Sequence, residues 1–237
     1  MVYMGSKRRI AKHILPIMLE HRTPNQWWVE PFVGGGNMID KVDGLRLGSD
    51  SNKWAIQGLL SIRDHADELP KNNREFTEED FNKLKVSDDY AHKGFAGFAY
   101  SFGSKWLCSW ARDSTGRDYV KEAFHNAIKQ QPRLHGVTLI NCDYRQLRIP
   151  PNSLIYCDPP YCGTEKYKGL EQFDHVEFWQ WCRDKRNQGH TVFVSEYSAP
   201  DDFKCIYERE QVSGLNSNGK KKKRVVERLF TAKEAIA

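Results

Sequence analysis

The chain has 237 residues, 39% of them hydrophobic and 28% charged, which gives it the apolar content for a sizeable core and excludes disorder outside the tails. A formal charge of +5 permits a polyanionic partner without requiring one. A mean hydropathy of -0.70 argues against a signal peptide or membrane span, and the cysteines Cys108, Cys142, Cys157, Cys162, Cys182 and Cys205, with no C-x-x-C pair, read as reduced thiols of a cytoplasmic protein.

In chain order, "KRRIAKHILPIMLEH" places Ile10, Ile14, Ile17 and Met18 on one helical face, with Pro16 as a bend. "QWWVEP" reads as a short strand leading into the glycine-rich "FVGGGN" and a helical stretch to about Val42. "LRLGSD" is a second strand ending at Asp50, and residues 52–64 form the next helix. That alternation begins a parallel α/β sheet. From about Ala66 to Gly136 the sheet pattern stops. "FTEEDFNKLK" and "RDYVKEAFHNAIKQQ" are helical and flank the aromatic "GFAGFAYSFGSKWLCSWARD", so 66–136 is expected to be an inserted, mostly helical lobe. Strand signals resume at "VTLINC" and "SLIYC", a helix fits 175–188, "HTVFVS" is a strand, and "CIYEREQVS" with "RVVERLF" suggests a closing antiparallel pair.

Candidate chemistry gathers at strand ends. Gly34, Gly35 and Gly36 suit a turn where backbone approaches a ligand, but position 39 is Ile39, where a dinucleotide fingerprint wants a third glycine. Glu30 ends the first strand and Asp50 the second, the position from which a carboxylate accepts hydrogen bonds from a ribose diol; the competing role for Asp50 is a helix N-cap. Asp143 follows a third strand. After "SLIYC" come Asp158, Pro159, Pro160 and Tyr161, a turn whose prolines fix φ while leaving carbonyls as acceptors beside an aromatic face. A planar substrate bearing an amino group suits it: the ring stacks on Tyr161 while Asp158 and the Pro159 carbonyl accept the two N–H groups. No metal-ligand set is expected.

Over most of its length the chain resembles the Dam-type adenine-N6 DNA methyltransferases. "YMGSK" matches their opening segment and makes Tyr3 and Lys7 cofactor contacts. "VEPFVGGGN" resembles their cofactor loop, with Phe32, Gly34 and Gly36; "GSDSN" assigns the ribose carboxylate to Asp50; "NCDYRQL" resembles the segment holding the cofactor's adenine, with Asp143 and Tyr144. The resemblance implies S-adenosylmethionine as cofactor and a Rossmann-like methyltransferase fold: a mainly parallel seven-stranded sheet with an antiparallel final pair. It implies a catalytic domain formed by 1–65 and 137–237, with the 66–136 lobe reading DNA. Double-stranded DNA is then the partner, the protein a monomer, and the target adenine flipped out of the duplex. Lys105 and Arg112 in the lobe, and the basic run Lys220, Lys221, Lys222, Lys223 and Arg224, are candidate phosphate contacts. RNA and protein-glutamine methyltransferases also carry N-P-P-Y or D-P-P-Y, and a noncatalytic DNA-binding protein on the same fold is a further alternative.

Overall fold

The computed structural model of the protein describes residues 1–161, 173–212 and 224–233. Its strands are β1 (Trp28–Glu30), β2 (Arg46–Asp50), β3 (Val137–Asn141), β4 (Leu154–Cys157), β5 (Thr191–Glu196), β6 (Phe203–Val212) and β7 (Arg224–Ala232). Its helices are α1 (Ala11–Leu19), α2 (Lys53–His65), α3 (Glu78–Lys83), α4 (Lys93–Ala99), α5 (Tyr119–Leu134) and α6 (His175–Asn187). The strands form one sheet in the order β3-β2-β1-β4-β5-β7-β6. The pairs β2·β3, β1·β4 and β4·β5 are parallel, and β7 runs antiparallel to both β5 and β6. This is the mainly parallel sheet with an antiparallel final pair that the sequence led us to expect. The helix expected after the glycine-rich turn is absent: a single 3-10 turn, Ile39–Lys41, stands there. Gly36 has a left-handed φ of +65°, and Asp43 and Gly44 (φ +80°) start the approach to β2, so only a few residues between them are free to be helical.

The chain divides into two compact units, Met1–His13 with Phe32–Leu147, and Ile14–Pro31 with Arg148–Ala237. In the first, α2 is capped by Asn52, whose side chain accepts the Trp54 N–H at 3.0 Å. Ala55, Ile56, Leu59 and Ile62 of α2 are buried, and the helix packs on α4 and α5. Against α4 it comes unusually close: a Cβ on Gly94 would lie 2.4 Å from the Trp54 carbonyl oxygen and 2.7 Å from the Gly58 nitrogen. Gly94 of "GFAGFA" therefore serves a helix crossing, and Gln57 accepts its N–H at 2.7 Å across it, while Gly97 makes room for the Trp106 ring. Phe95, Phe98 and Tyr100 are buried, so most of the aromatics of this stretch are core.

In the second unit "LIYC" of β4 is wholly buried, as expected of a parallel strand covered on both faces. Trp28 of β1 and Tyr156 of β4 are both inaccessible, with ring centroids 6.1 Å apart, and the Tyr156 hydroxyl is hydrogen-bonded to Ser195 Oγ of β5 at 2.8 Å. Asp174 caps α6 by accepting the Val176 and Glu177 N–H groups, both at 2.9 Å, and Phe178, Trp179, Trp181 and Cys182 bury its inner face. The five described cysteines are all free. Among the described residues no helix is long and apolar enough to cross a membrane.

Glycine-to-alanine changes in helices usually stabilise by up to about 1 kcal/mol, whereas overpacking costs about 1–3 kcal/mol. At Gly94 the atoms in the way are backbone and cannot rotate aside, so overpacking wins. Gly94→Ala is expected to lower the melting temperature by several degrees, at roughly 2–4 °C per kcal/mol for a chain of this size, which a thermal melt will read.

Candidate active site

In the first unit the residues singled out in "YMGSK", "VEPFVGGGN" and "GSDSN" meet. The turn after Phe32 is closed by Val33 N–H to Ser49 O and Gly36 N–H to Val33 O, both at 2.8 Å. Gly34 adopts φ +48°, and its N–H donates to Asp50 Oδ2 at 2.9 Å. The other Asp50 oxygen accepts the Asn52 N–H, also at 2.9 Å. Asn52, not Asp50, caps α2, which removes the competing role for the aspartate. The strand ends are clasped around it: Asn141 Nδ2 donates to Asp50 O at 2.8 Å, and the Cys142 N–H to the same carbonyl at 3.1 Å. Burial raises the Asp50 carboxyl from its ordinary 3.8 to about 6, against the opposing pull of its two backbone donors. A carboxylate has about four acceptor positions, so two backbone bonds leave capacity for a diol.

Tyr3 lies over the turn, its ring 3.0 Å from where a Gly34 Cβ would stand, and 4.9 Å between centroids from Phe98. Phe32 faces Tyr144 at 5.2 Å. Glycine, carboxylate and paired aromatics are the donor set a nucleoside attached to a short amino-acid chain calls for, so these residues fit S-adenosylmethionine. Lys7 is buried, with Nζ 3.4 Å from Gly5 O. Asp143 stands beyond the end of β3, and Arg145 binds both its oxygens, at 2.8 and 3.0 Å, holding its carboxyl below the usual range. That bidentate pair was legible in "DYR" but escaped the sequence reading.

In the second unit, β1 and β4 are neighbours that are not consecutive in the chain, in the register Trp28↔Leu154 and Val29↔Ile155. Open α/β sheets bind ligands at the carboxyl ends of strands where the order reverses in this way. Glu30 ends β1, is buried, and accepts the Trp28 indole N–H at 2.7 Å. Asp158 to Tyr161 follow β4 directly: Asp158 half-buried, Pro159 buried, Pro160 exposed and Tyr161 half-buried. The Tyr161 hydroxyl donates to Glu227 Oε2 at 2.8 Å, and its ring stands at 82° to that of Tyr197, 4.6 Å between centroids. Burial first, then Asp158 and Glu227, push the Tyr161 phenol well above its usual pKa, so it remains a neutral donor.

In the 66–136 segment Lys105 is exposed, and Arg112 is exposed beside Glu78 at 3.3 Å. Trp106 stacks on Trp54 at 5.1 Å, and Ser101 pairs with Trp110 to form a short hairpin. Beside that bridge, with its N–H on Ser109 O at 2.7 Å, Phe102 is 60% exposed, followed by Gly103 (φ +65°) and Ser104 (φ +56°). Sequence reasoning missed Phe102 among its aromatic neighbours; the only local signal was its place immediately before a glycine in a turn. Lys220, Lys221, Lys222 and Lys223 lie outside the described residues, and for Arg224 only the backbone is described, as the first residue of β7.

Residues 3–95 match the family D12 class N6 adenine-specific DNA methyltransferase. No curated protein matches. Among solved structures, yhhF from Escherichia coli, assigned as a methyltransferase, is 10% identical over 99% of this chain and 92% of that one, with a TM-score of 0.43. The tRNA (m1A58) methyltransferase TrmI from Aquifex aeolicus is 7% identical over 98% of this chain and 70% of that one, with a TM-score of 0.43. The sequence match spans the opening segment, the glycine-rich turn and Asp50, so residues 3–95 are similar to the D12 class N6 adenine-specific DNA methyltransferases, an S-adenosylmethionine-dependent class.

Proposed function

We propose that the protein transfers a methyl group from S-adenosylmethionine to the exocyclic N6 amine of adenine in double-stranded DNA, after flipping the base. The observation that carries this reading is the Asp158-Pro159-Pro160-Tyr161 turn at the carboxyl end of β4, beside Glu30 at the end of β1. S-adenosylmethionine supplies an electrophilic methyl group. Asp50 would accept hydrogen bonds from its ribose, Gly34 and Gly36 would let the backbone approach, and Tyr3, Lys7, Phe32, Asp143, Tyr144 and Glu30 would complete the cofactor contacts. Asp158 and the Pro159 carbonyl would accept the two amine N–H groups, favouring a pyramidal nitrogen with its lone pair free to react. Positive charge then builds on nitrogen beside Asp158, which stabilises it. Pro160 stiffens the turn, and Tyr161 stacks on the flipped ring.

The 1–65 and 137–237 segments serve catalysis in this reading, and the 66–136 lobe holds DNA through Lys105 and Arg112. Extruding a base from a duplex costs on the order of a few kcal/mol, and apolar side chains inserted between base steps offset part of that. Phe102 fits this wedge role.

Labelled S-adenosylmethionine incubated with mixed-sequence DNA tests the reading. Label is expected in DNA with the unmodified protein and a loss of at least about a hundredfold with Asp158→Ala, within the range that removal of one charge-stabilising group produces. Label appearing only in RNA or protein would transfer the activity to those substrates.

The pKa of Asp50 gives a second prediction with two opposite signs. A diol binds the ionised carboxylate, so cofactor affinity should fall as pH drops through about 6, roughly tenfold between pH 7 and pH 5. Stability of the free protein should move the other way over the same window. A carboxyl with a raised native pKa contributes stability below about 4 that is lost as pH rises through about 6. Calorimetric titration and melts from pH 4.5 to 7.5 will read both, and Asp50→Asn should flatten both.

Phe102→Ala should lower kcat/KM on duplex DNA by roughly tenfold, about 1.4 kcal/mol, and spare single-stranded DNA, whose bases need no wedge. Equal losses on both substrates would deny Phe102 the wedge role.

A further inference from the structure

We infer that Glu227 on β7 is a positioning residue for methyl transfer, fixing through the Tyr161 hydroxyl the plane on which the target base stacks. This inference rests on the function proposed above. A tyrosine that only stacks needs its ring, and phenylalanine would supply one; here the hydroxyl is also used. It donates to Glu227 Oε2 at 2.8 Å, a charge-assisted bond of the stronger kind. The next residue of β7 holds the second aromatic: Arg228 Nη1 donates to the Tyr197 carbonyl at 2.5 Å, and the Tyr197 ring packs at 82° against Tyr161. Successive β7 residues thus hold the Tyr161 hydroxyl and the Tyr197 backbone, and β7 is itself set by its antiparallel pairing with β5, where Glu196 faces Arg228.

The arrangement restrains both rotatable bonds of the Tyr161 side chain. Packing against Tyr197 limits the ring from the side, and the hydroxyl anchor limits its far end. A ring held in this way presents a base-stacking surface at a defined angle to the amine acceptors at Asp158 and Pro159, three and two residues earlier in the same rigid turn. Misorientation of a bound reactant lowers turnover far more than binding, because the reacting atoms must be aligned for attack. Glu227 touches neither base nor cofactor in this account and acts only through Tyr161.

The test is a double-mutant cycle on Glu227→Leu and Tyr161→Phe, with Glu227→Gln as the conservative variant, which keeps an oxygen acceptor of similar shape. Methylation of DNA by labelled cofactor gives kcat and KM for each, and thermal melts establish that each variant is folded at the assay temperature. Glu227→Leu is expected to lower kcat about tenfold with the KM for S-adenosylmethionine unchanged, and Glu227→Gln to stay within about threefold of the unmodified protein. In the Tyr161→Phe background, Glu227→Leu should cause no further loss, because the hydroxyl it acts through is gone. Losses that multiply independently in the double variant, or an unchanged kcat in Glu227→Leu, would overturn the inference while leaving the methyltransferase reading intact. An unmodified protein that labels no DNA would overturn both.

Discussion

Two backbone N–H groups converge on the carboxylate of Asp50, and the first unit is organised around that convergence. Gly34 brings its N–H from the turn, which requires φ of +48°; Asn52 brings the other from the start of α2. One side chain thereby locks the end of β2, the glycine-rich turn and the entry of a helix. Hydrogen bonds of this kind lower a carboxyl's pKa and burial raises it; the net rise to about 6 says that burial is the larger effect here. The carboxylate is therefore held in place by the backbone yet remains costly to ionise, and a ligand that adds further donors relieves part of that cost.

"LIYC" and "VFV" were legible because a parallel sheet buried on both faces writes itself as continuous apolar runs, while "VTLIN" became the expected strand at the sheet edge with most of its residues exposed. The segment after Gly36 was misread as helix because its composition permits one; what forbids it is the left-handed glycine before it and the early turn to β2. Burial was the hardest property to read. Phe95, Phe98, Tyr100 and Phe102 are interchangeable as letters, yet three are core and one projects from a hairpin, a distinction set by the α2·α4 crossing and by Trp106 stacking on Trp54. Glu227 lay beyond local reasoning altogether, since only the β5·β7·β6 pairing brings it back to a tyrosine distant in sequence.

The arginine–carboxylate pairs at Arg112 and Arg145 differ in their surroundings. Arg112 already has Glu78 within 3.3 Å in an exposed setting, where an ion pair contributes no more than about 1 kcal/mol and is readily exchanged for a phosphate. Asp143 and Arg145 form a bidentate pair in which only the aspartate is half-buried, and its two parallel bonds make it harder to open than a single contact. A cofactor contact at Asp143 must therefore be made to the paired carboxylate, using the lone pairs that Arg145 leaves, whereas a phosphate at Arg112 has only to displace a surface partner.

Carboxylates are frequent around the second unit's turn, and the proposed chemistry explains why they should not be equivalent. Methyl transfer moves a positive charge from sulfur to nitrogen without creating or destroying any. A carboxylate equally distant from both atoms stabilises reactants and transition state alike and changes binding, not rate. Only one adjacent to the nitrogen gains as the charge arrives, which is the place the amine would take at Asp158. Glu227 is committed to a phenol whose pKa it helps to raise, and Glu30 to the Trp28 indole N–H at 2.7 Å. Their charges are engaged with neutral donors on the protein. Glu227 and Glu30 thus hold aromatic side chains, and in the proposed chemistry Asp158, at the start of the turn, is the carboxylate nearest the amine.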